Sequence, residues 1–289
     1  MHTQEEQQTE MLRSAHPVEP HMRAQVMQEL QRIEATHDVT ILFACESGSR
    51  GWGFASPDSD YDVRFIYVHR LPWYLTVAPG RDVIEVPISG DLDINGWDLR
   101  KALGLLRESN PTLLEWLRSP IVYREEAATM APFRALAENV FSNAKGWHHY
   151  SSMAKKNFRE HLQADEVRYK KYLYVLRPLL AARWIRTRPG VPPMRFAELA
   201  QHTLDPVADA ALVAEINALL EVKMRAGEAA TSPRWPGIHA FIEAELARNA
   251  AEPVQPLPVP GHAALDVLLH DTVLKYDKAY SPHASHKRA

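Results

Sequence analysis

Asp60 and Asp62 flank Tyr61 at the head of an apolar run, DYDVRFIYV, over residues 60–68. On a β-strand, residues i and i+2 point to one face. The two carboxylates would therefore project together from a strand that is otherwise buried. Ionised aspartates side by side repel one another and resist burial unless a cation lies between them. The natural cation is Mg²⁺, which takes oxygen ligands and shares them with substrate phosphates. Gly48-Ser49, some ten residues upstream, offers backbone N–H groups and a hydroxyl to such a phosphate.

A third carboxylate is available at Asp93, between Leu92 and Ile94. If its strand lies beside that of Asp62, Asp60, Asp62 and Asp93 could share a face and hold two Mg²⁺ ions. One would activate an attacking hydroxyl, and the other would hold a triphosphate and stabilise departing pyrophosphate. The chemistry is in-line attack on the α-phosphorus of a nucleoside triphosphate. Asp91 shares the facing of Asp93 and competes for the third place. Asp98 competes less, because it stands where a helix needs an N-cap.

The elements that must position these residues follow from periodicity. Residues 1–19 carry no apolar period and read as a mobile arm. Val26, Leu30 and Ile33 give an amphipathic helix over 21–37. A strand follows over 39–44, then a Gly-, Ser- and Pro-containing loop over 48–59, and the Asp60 strand. Residues 82–88 and 91–97 read as two antiparallel strands joined at Ser89-Gly90. Leu99, Leu103 and Leu106 begin a helix after Asp98, a short helix follows Pro111, and IVY over 121–123 is a brief strand. Beyond residue 127 helices are expected over 131–141, 145–163, 166–187, 195–201, 207–225, 236–249 and 262–275. Pro178 should kink the third of these by freeing the carbonyl of Tyr174. The expected fold is α+β: a mixed α/β domain over 20–124, an all-helical domain over 125–275, and a disordered tail over 276–289.

With 289 residues and a formal net charge of −3, the chain can build a sizeable core and has no global bias toward nucleic acid or membrane. Its single cysteine, Cys45, lies in the first strand and reads as an inert core residue. The first residues, MHTQEEQQTEM, lack an apolar signal core, and no apolar run approaches the roughly 18 residues of a membrane span. A cytoplasmic protein with no membrane partner is expected.

Taken together, Gly48-Ser49, Asp60-Tyr61-Asp62 and Leu92-Asp93-Ile94 resemble the DNA polymerase β nucleotidyltransferase superfamily. The stretch ESGSRGWGFASPDSDYDVRFIYV over 46–68 resembles more closely a bacterial and phage branch of that superfamily, described as RNA-repair-pathway or RNA-ligase-associated. Residues 98–123 and 153–186 fit the same branch, so the resemblance spans about residues 25–200. It implies a small mixed sheet with helices on one side, Mg²⁺ and a nucleoside triphosphate such as ATP. Gly48 and Ser49 match the phosphate-gripping motif, Asp60 and Asp62 the metal ligands, and Asp93 the third carboxylate. Arg50, next to the turn, would touch a phosphate.

Between Lys145 and Arg188 the sequence holds eleven Lys or Arg against Glu160, Asp165 and Glu166. Lys170, Tyr174 and Arg177 fall on one helical stripe, next to Lys171, and Lys156 lies one helix earlier. Such a face would hold a triphosphate or stack a base; its ordinary alternative is a solvated helix surface. Trp52 and Phe54 read as loop packing, and His148-His149 as structural. The function this supports is a Mg²⁺-dependent nucleotidyltransferase that transfers a nucleotide to a hydroxyl. The acceptor stays open between an RNA 3′ end, a protein side chain and a small molecule. The alternative is an inactive module of the same fold that senses nucleotides or docks a partner.

Overall fold

The apolar stripes meet on the two faces of one sheet. The computed structural model describes residues 16–88, 90–225 and 231–278. The expected arm lies outside them up to residue 15, the tail from residue 279, and the expected turn at Ser89. The chain runs α1 (Pro20–His37), β1 (Val39–Glu46), α2 (Gly48–Trp52), β2 (Tyr61–His69), α3 (Leu71–Tyr74), β3 (Val83–Glu85) and β4 (Leu92–Asp98). It continues with α4 (Leu99–Arg107), α5 (Pro111–Leu117), β5 (Val122–Glu125), α6 (Ala127–Val140), α7 (Asn143–His161), β6 (Glu166–Arg168) and α8 (Tyr169–Thr187). The last elements are α9 (Phe196–Thr203), α10 (Ala210–Arg225), β7 (Thr231–Pro233), α11 (Pro236–Ala251) and α12 (Ala263–Lys278). The class is α+β, as the sequence predicts.

Five strands form a mixed sheet in the order β3-β4-β2-β1-β5. β2 and β4 are parallel, while β1–β2, β1–β5 and β3–β4 are antiparallel. Alternation splits each strand between two cores. Val63, Phe65 and Tyr67 join Ile94 and the predicted α1 stripe of Val26, Leu30 and Ile33. Ile66 and Val68 face the other way, into a core that runs through Leu103 and Trp116 to Tyr150, Leu176 and Ile242. Trp97 of β4 stacks on Trp116 of α5 with ring centroids 3.8 Å apart. Sheet and helices thus share one continuous core on this side, and α12 returns to it: Arg70 donates to the Tyr276 carbonyl at 2.9 Å.

Pro20 opens α1 at its first turn, one residue before the expected start, where a missing N–H costs nothing. One local expectation, the carbonyl freed by Pro178, is met. Pro178 lies inside α8, and the Tyr174 carbonyl it frees accepts a bond from Asn157 Nδ2 at 3.1 Å. Two expectations need correction. Gly48–Trp52, read as loop, is a five-residue helix, too short and too glycine-rich to show a period. Residues 166–168 are strand rather than helix, paired with 231–233 from a stretch read as loop. That pairing joins segments distant in sequence, which local pattern does not report.

Asp98 caps α4, its carboxylate accepting from the Arg100 N–H at 2.8 Å and from the Tyr74 hydroxyl at 2.7 Å. Burial pushes its carboxyl from the ordinary 3.8 up to about 6, against the pull of both bonds. A carboxyl raised on folding favours the folded state while it is protonated. Its contribution is complete below pH 3.8 and is lost as pH rises through about 6. Asp98→Asn keeps a good cap and should flatten the stability profile between those pH values, read by urea unfolding. An unchanged slope would contradict the assignment.

Candidate active site

β2 starts at Tyr61, so Asp62 is its second residue, and its register partner on the parallel strand β4 is Asp93. Both are partly exposed and lie on the face of Ile66 and Trp97, the side of the helices. Arg64 follows two residues after Asp62 on that face. Its Nη2 stands 2.7 Å from Asp62 Oδ1 and 2.7 Å from Asp93 Oδ2. Its Nη1 donates to the Asp93 carbonyl at 3.0 Å, which fixes the guanidinium across the strand pair. The positive charge that two neighbouring carboxylates require is therefore present in the chain itself. Sequence reading missed Arg64, although the i, i+2 rule that joins Asp60 to Asp62 puts Arg64 next in line.

Gly48 is packed against this pair. Its φ is +56°, and a Cβ built on it would stand 1.9 Å from Asp62 Oδ2. Only glycine allows the start of α2 to approach the carboxylate so closely. The Ser47 N–H donates to the Asp62 carbonyl at 2.8 Å and holds the approach. The first N–H groups of a helix have no intrahelical partner, so Gly48 and Ser49 present donors next to Asp62.

Glu46, also missed, supports Asp62 from behind. It is fully buried, accepts from the Asp62 N–H at 2.8 Å and takes the Tyr123 hydroxyl on its other oxygen. Burial pushes its carboxyl from 4.5 up to about 7, while the Tyr123 and Asp62 bonds pull it down. Its one visible signal is a Glu ending an unbroken apolar run.

Asp60 stands one residue before β2 and is exposed. The segment leading to it is pinned from the helical side. Lys223 of α10 is buried and donates to Ser56 Oγ at 2.7 Å, and the Ser59 hydroxyl accepts from the Ser56 N–H at 3.0 Å. Asp91 is exposed and precedes β4; its carbonyl accepts from the Tyr61 N–H at 2.7 Å. Geometry thus puts Asp93, not Asp91, beside Asp62. Among the described residues no three His, Cys, Asp or Glu gather at metal-holding distance. Mg²⁺ commonly takes only one or two protein carboxylates and completes its shell with water and substrate phosphate. The all-oxygen pair Asp62–Asp93 fits that requirement.

The predicted cations divide. Arg50 is buried and turned from the carboxylates, and its guanidinium lies 3.9 Å from the centre of the Tyr61 ring. Its three nitrogens donate to the carbonyls of His16, Ser59 and Asp60. Arg177, expected on a phosphate-facing stripe, is buried too: Nη1 is 2.6 Å from Glu115 Oε1, and Nε bonds the Met194 carbonyl. Trp52 donates to the other Glu115 oxygen at 3.1 Å, so the ion pair clamps α2 between α5 and α8. Removing one partner of such a pair typically costs about 3–5 kcal/mol. Tyr174 packs edge-on against Trp52 with centroids 5.6 Å apart, and Lys171 lies over the Tyr174 ring. Lys170 is partly buried beside them on α8, and Lys156 is exposed near Glu160. Acids remote in sequence neutralise much of the basic stretch: Arg183 reaches Asp209 and Glu245, and Arg186 reaches Glu252.

The mixed sheet is the one that the resemblance to the DNA polymerase β superfamily implies. The chain belongs to the RNA repair pathway DNA polymerase beta family, whose model matches residues 22–271. It is 48% identical over 227 residues to the uncharacterized protein YcgL of Bacillus subtilis (strain 168), covering 78% of this chain and 86% of that one. A crystal structure of a nucleotidyltransferase-like protein from Exiguobacterium sibiricum aligns with 87% of this chain and 77% of its own, at 15% identity and a TM-score of 0.26. No helix among the described residues is long and apolar enough to cross a membrane.

Gly48→Ala puts a methyl group into the Asp62 carboxylate and a side chain into left-handed backbone, which alone costs about 1–2 kcal/mol. Thermal unfolding should show a loss of about 1–3 kcal/mol. A variant with native stability would refute the close approach.

Proposed function

We propose that the protein is a Mg²⁺-dependent nucleotidyltransferase that moves a nucleotide from a nucleoside triphosphate to a hydroxyl, with an RNA 3′ end as acceptor. The observation that carries this reading is the seating of Gly48 against Asp62, with Asp93 at the paired position. Phosphate donors and metal-type acceptors then occupy one point. In the reaction the acceptor hydroxyl gives up its proton to water as its oxygen bonds to the α-phosphorus, the bond from phosphorus to the α–β bridging oxygen breaks, and the β- and γ-phosphates leave as pyrophosphate. Mg²⁺, held by Asp62 and Asp93 with Asp60 at its edge, would activate the hydroxyl and neutralise the phosphates.

The chain's own groups divide the remaining tasks. The Gly48 and Ser49 N–H groups and the Ser49 hydroxyl orient the terminal phosphates. Glu46 holds the Asp62 backbone through its N–H. Arg64 keeps the carboxylates paired until a cation takes over their charge, and then remains a donor close to the phosphates. Tyr174, edge-on to Trp52 of α2 with Lys171 over its ring, and Lys170 of the same helix would form the helical side of the site. The RNA acceptor is supported by the family description alone.

Pyrophosphate release should be measured with Mg²⁺, each nucleoside triphosphate and a short RNA ending in a free 3′ hydroxyl. Asp62→Asn and Asp93→Asn should each lower the rate by at least a hundredfold while the chain stays folded. Release at the wild-type rate by both variants would overturn the site. Triphosphate binding without release by wild type would favour the nucleotide-sensing module.

A further inference from the structure

A second basic site lies beyond the other end of α2. A cavity of about 350 Å³ opens between the chain before α1, the C-terminal end of α2 and the start of α9. Three arginines line it, Arg23, Arg50 and Arg195, and no Asp or Glu does among the described residues. The described hydrogen bonds of Arg23 and Arg50 go to backbone carbonyls, and Glu46, the acid whose carboxyl feels the Arg50 charge, lies outside the cavity lining. The Arg195 side chain has no hydrogen-bond or ion-pair partner among the described residues, and the residue is only partly exposed. Three positive charges around one hollow repel one another and create a demand for an anion. Guanidinium is the group that recognises phosphate oxygens in pairs. Pro17, Trp52 and Ile121 give the hollow apolar walls as well, a combination suited to a nucleotide's sugar and base above its phosphate.

The cavity is coupled to the carboxylates through Arg50, which bonds the Asp60 carbonyl at 3.3 Å. α2 has five residues and spans about 7 Å at 1.5 Å each. A polynucleotide reaches both the Gly48 turn and the hollow. We infer that the Arg23–Arg50–Arg195 cavity binds a backbone phosphate of a single-stranded RNA acceptor, one step from its reacting end. This rests on the nucleotidyltransferase reading, and it adds where the acceptor strand runs.

The test is fluorescence anisotropy of a labelled ten-nucleotide RNA across a salt series, with wild type, Arg195→Gln and Arg195→Lys. Binding of a Mg²⁺ complex of a non-hydrolysable triphosphate is measured in parallel. Arg195→Gln should weaken RNA binding about tenfold and lower the slope of log affinity against log salt by about one. Arg195→Lys should recover part of the affinity, and triphosphate binding should not change in either variant. Equal RNA affinity and slope in wild type and Arg195→Gln would overturn the inference, as would absence of RNA binding by wild type. Inorganic phosphate binding that depends on Arg195, without RNA binding, would also overturn it, by assigning the cavity to a free anion. Retained triphosphate binding in those cases would leave the nucleotidyltransferase reading intact. Loss of Arg195-dependent RNA binding together with triphosphate binding unaffected by Asp62→Asn would sink both.

Discussion

Two carboxylates cannot stand at paired positions on neighbouring strands without positive charge between them, and the rest of the molecule is built around that constraint. Asp62 and Asp93 are register partners on parallel strands, where side chains on one face are direct neighbours. Their repulsion is answered by Arg64, which lies 2.7 Å from each. The arrangement keeps its charge balanced while leaving both carboxylates partly exposed. A guanidinium is a suitable holder because it stays charged at any working pH and can bridge two acceptors at once.

The pair is useful only if something else approaches it, and the fold spends several devices on that approach. Gly48 lacks the one atom that would collide with Asp62. Ser47, through its N–H, and Glu46, through its carboxylate, tie the chain just before Gly48 to the Asp62 backbone. Trp52 then anchors the far end of α2 to the buried Glu115–Arg177 pair, linking the Gly48 turn to the helical layer. From α10, Lys223 fixes the segment that leads to Asp60. The helices therefore act less as a separate charged surface than as the frame that holds the turn and the strand end in place.

Much of this was legible in the sequence, and the failures have physical causes. Alternation in DYDVRFIYV and the apolar neighbours of Asp93 were enough to predict two strands bearing acids on one face. Asp98 as a cap and the freed carbonyl at Tyr174 followed from single-residue stereochemistry. The role of Arg177 was not legible, because its partner Glu115 is 62 residues away and local charge counting sees only the unopposed cation. Nor was that of Arg50, whose position beside the glycine turn suggested a phosphate while its side chain turns back onto Tyr61. Glu46 illustrates the same limit: a buried acid becomes intelligible once its two donors are known.

The account's central claim is that Asp62 and Asp93, brought together by strand register, are the point where a divalent cation and a triphosphate meet. Electron paramagnetic resonance of Mn²⁺, an oxygen-seeking ion like Mg²⁺, titrated with protein in the presence of a non-hydrolysable triphosphate, tests this most directly. The account predicts that wild type depletes the free Mn²⁺ signal more than the triphosphate alone, and that Asp93→Asn, folded by circular dichroism, loses most of the difference. Equal depletion by wild type and Asp93→Asn would contradict it.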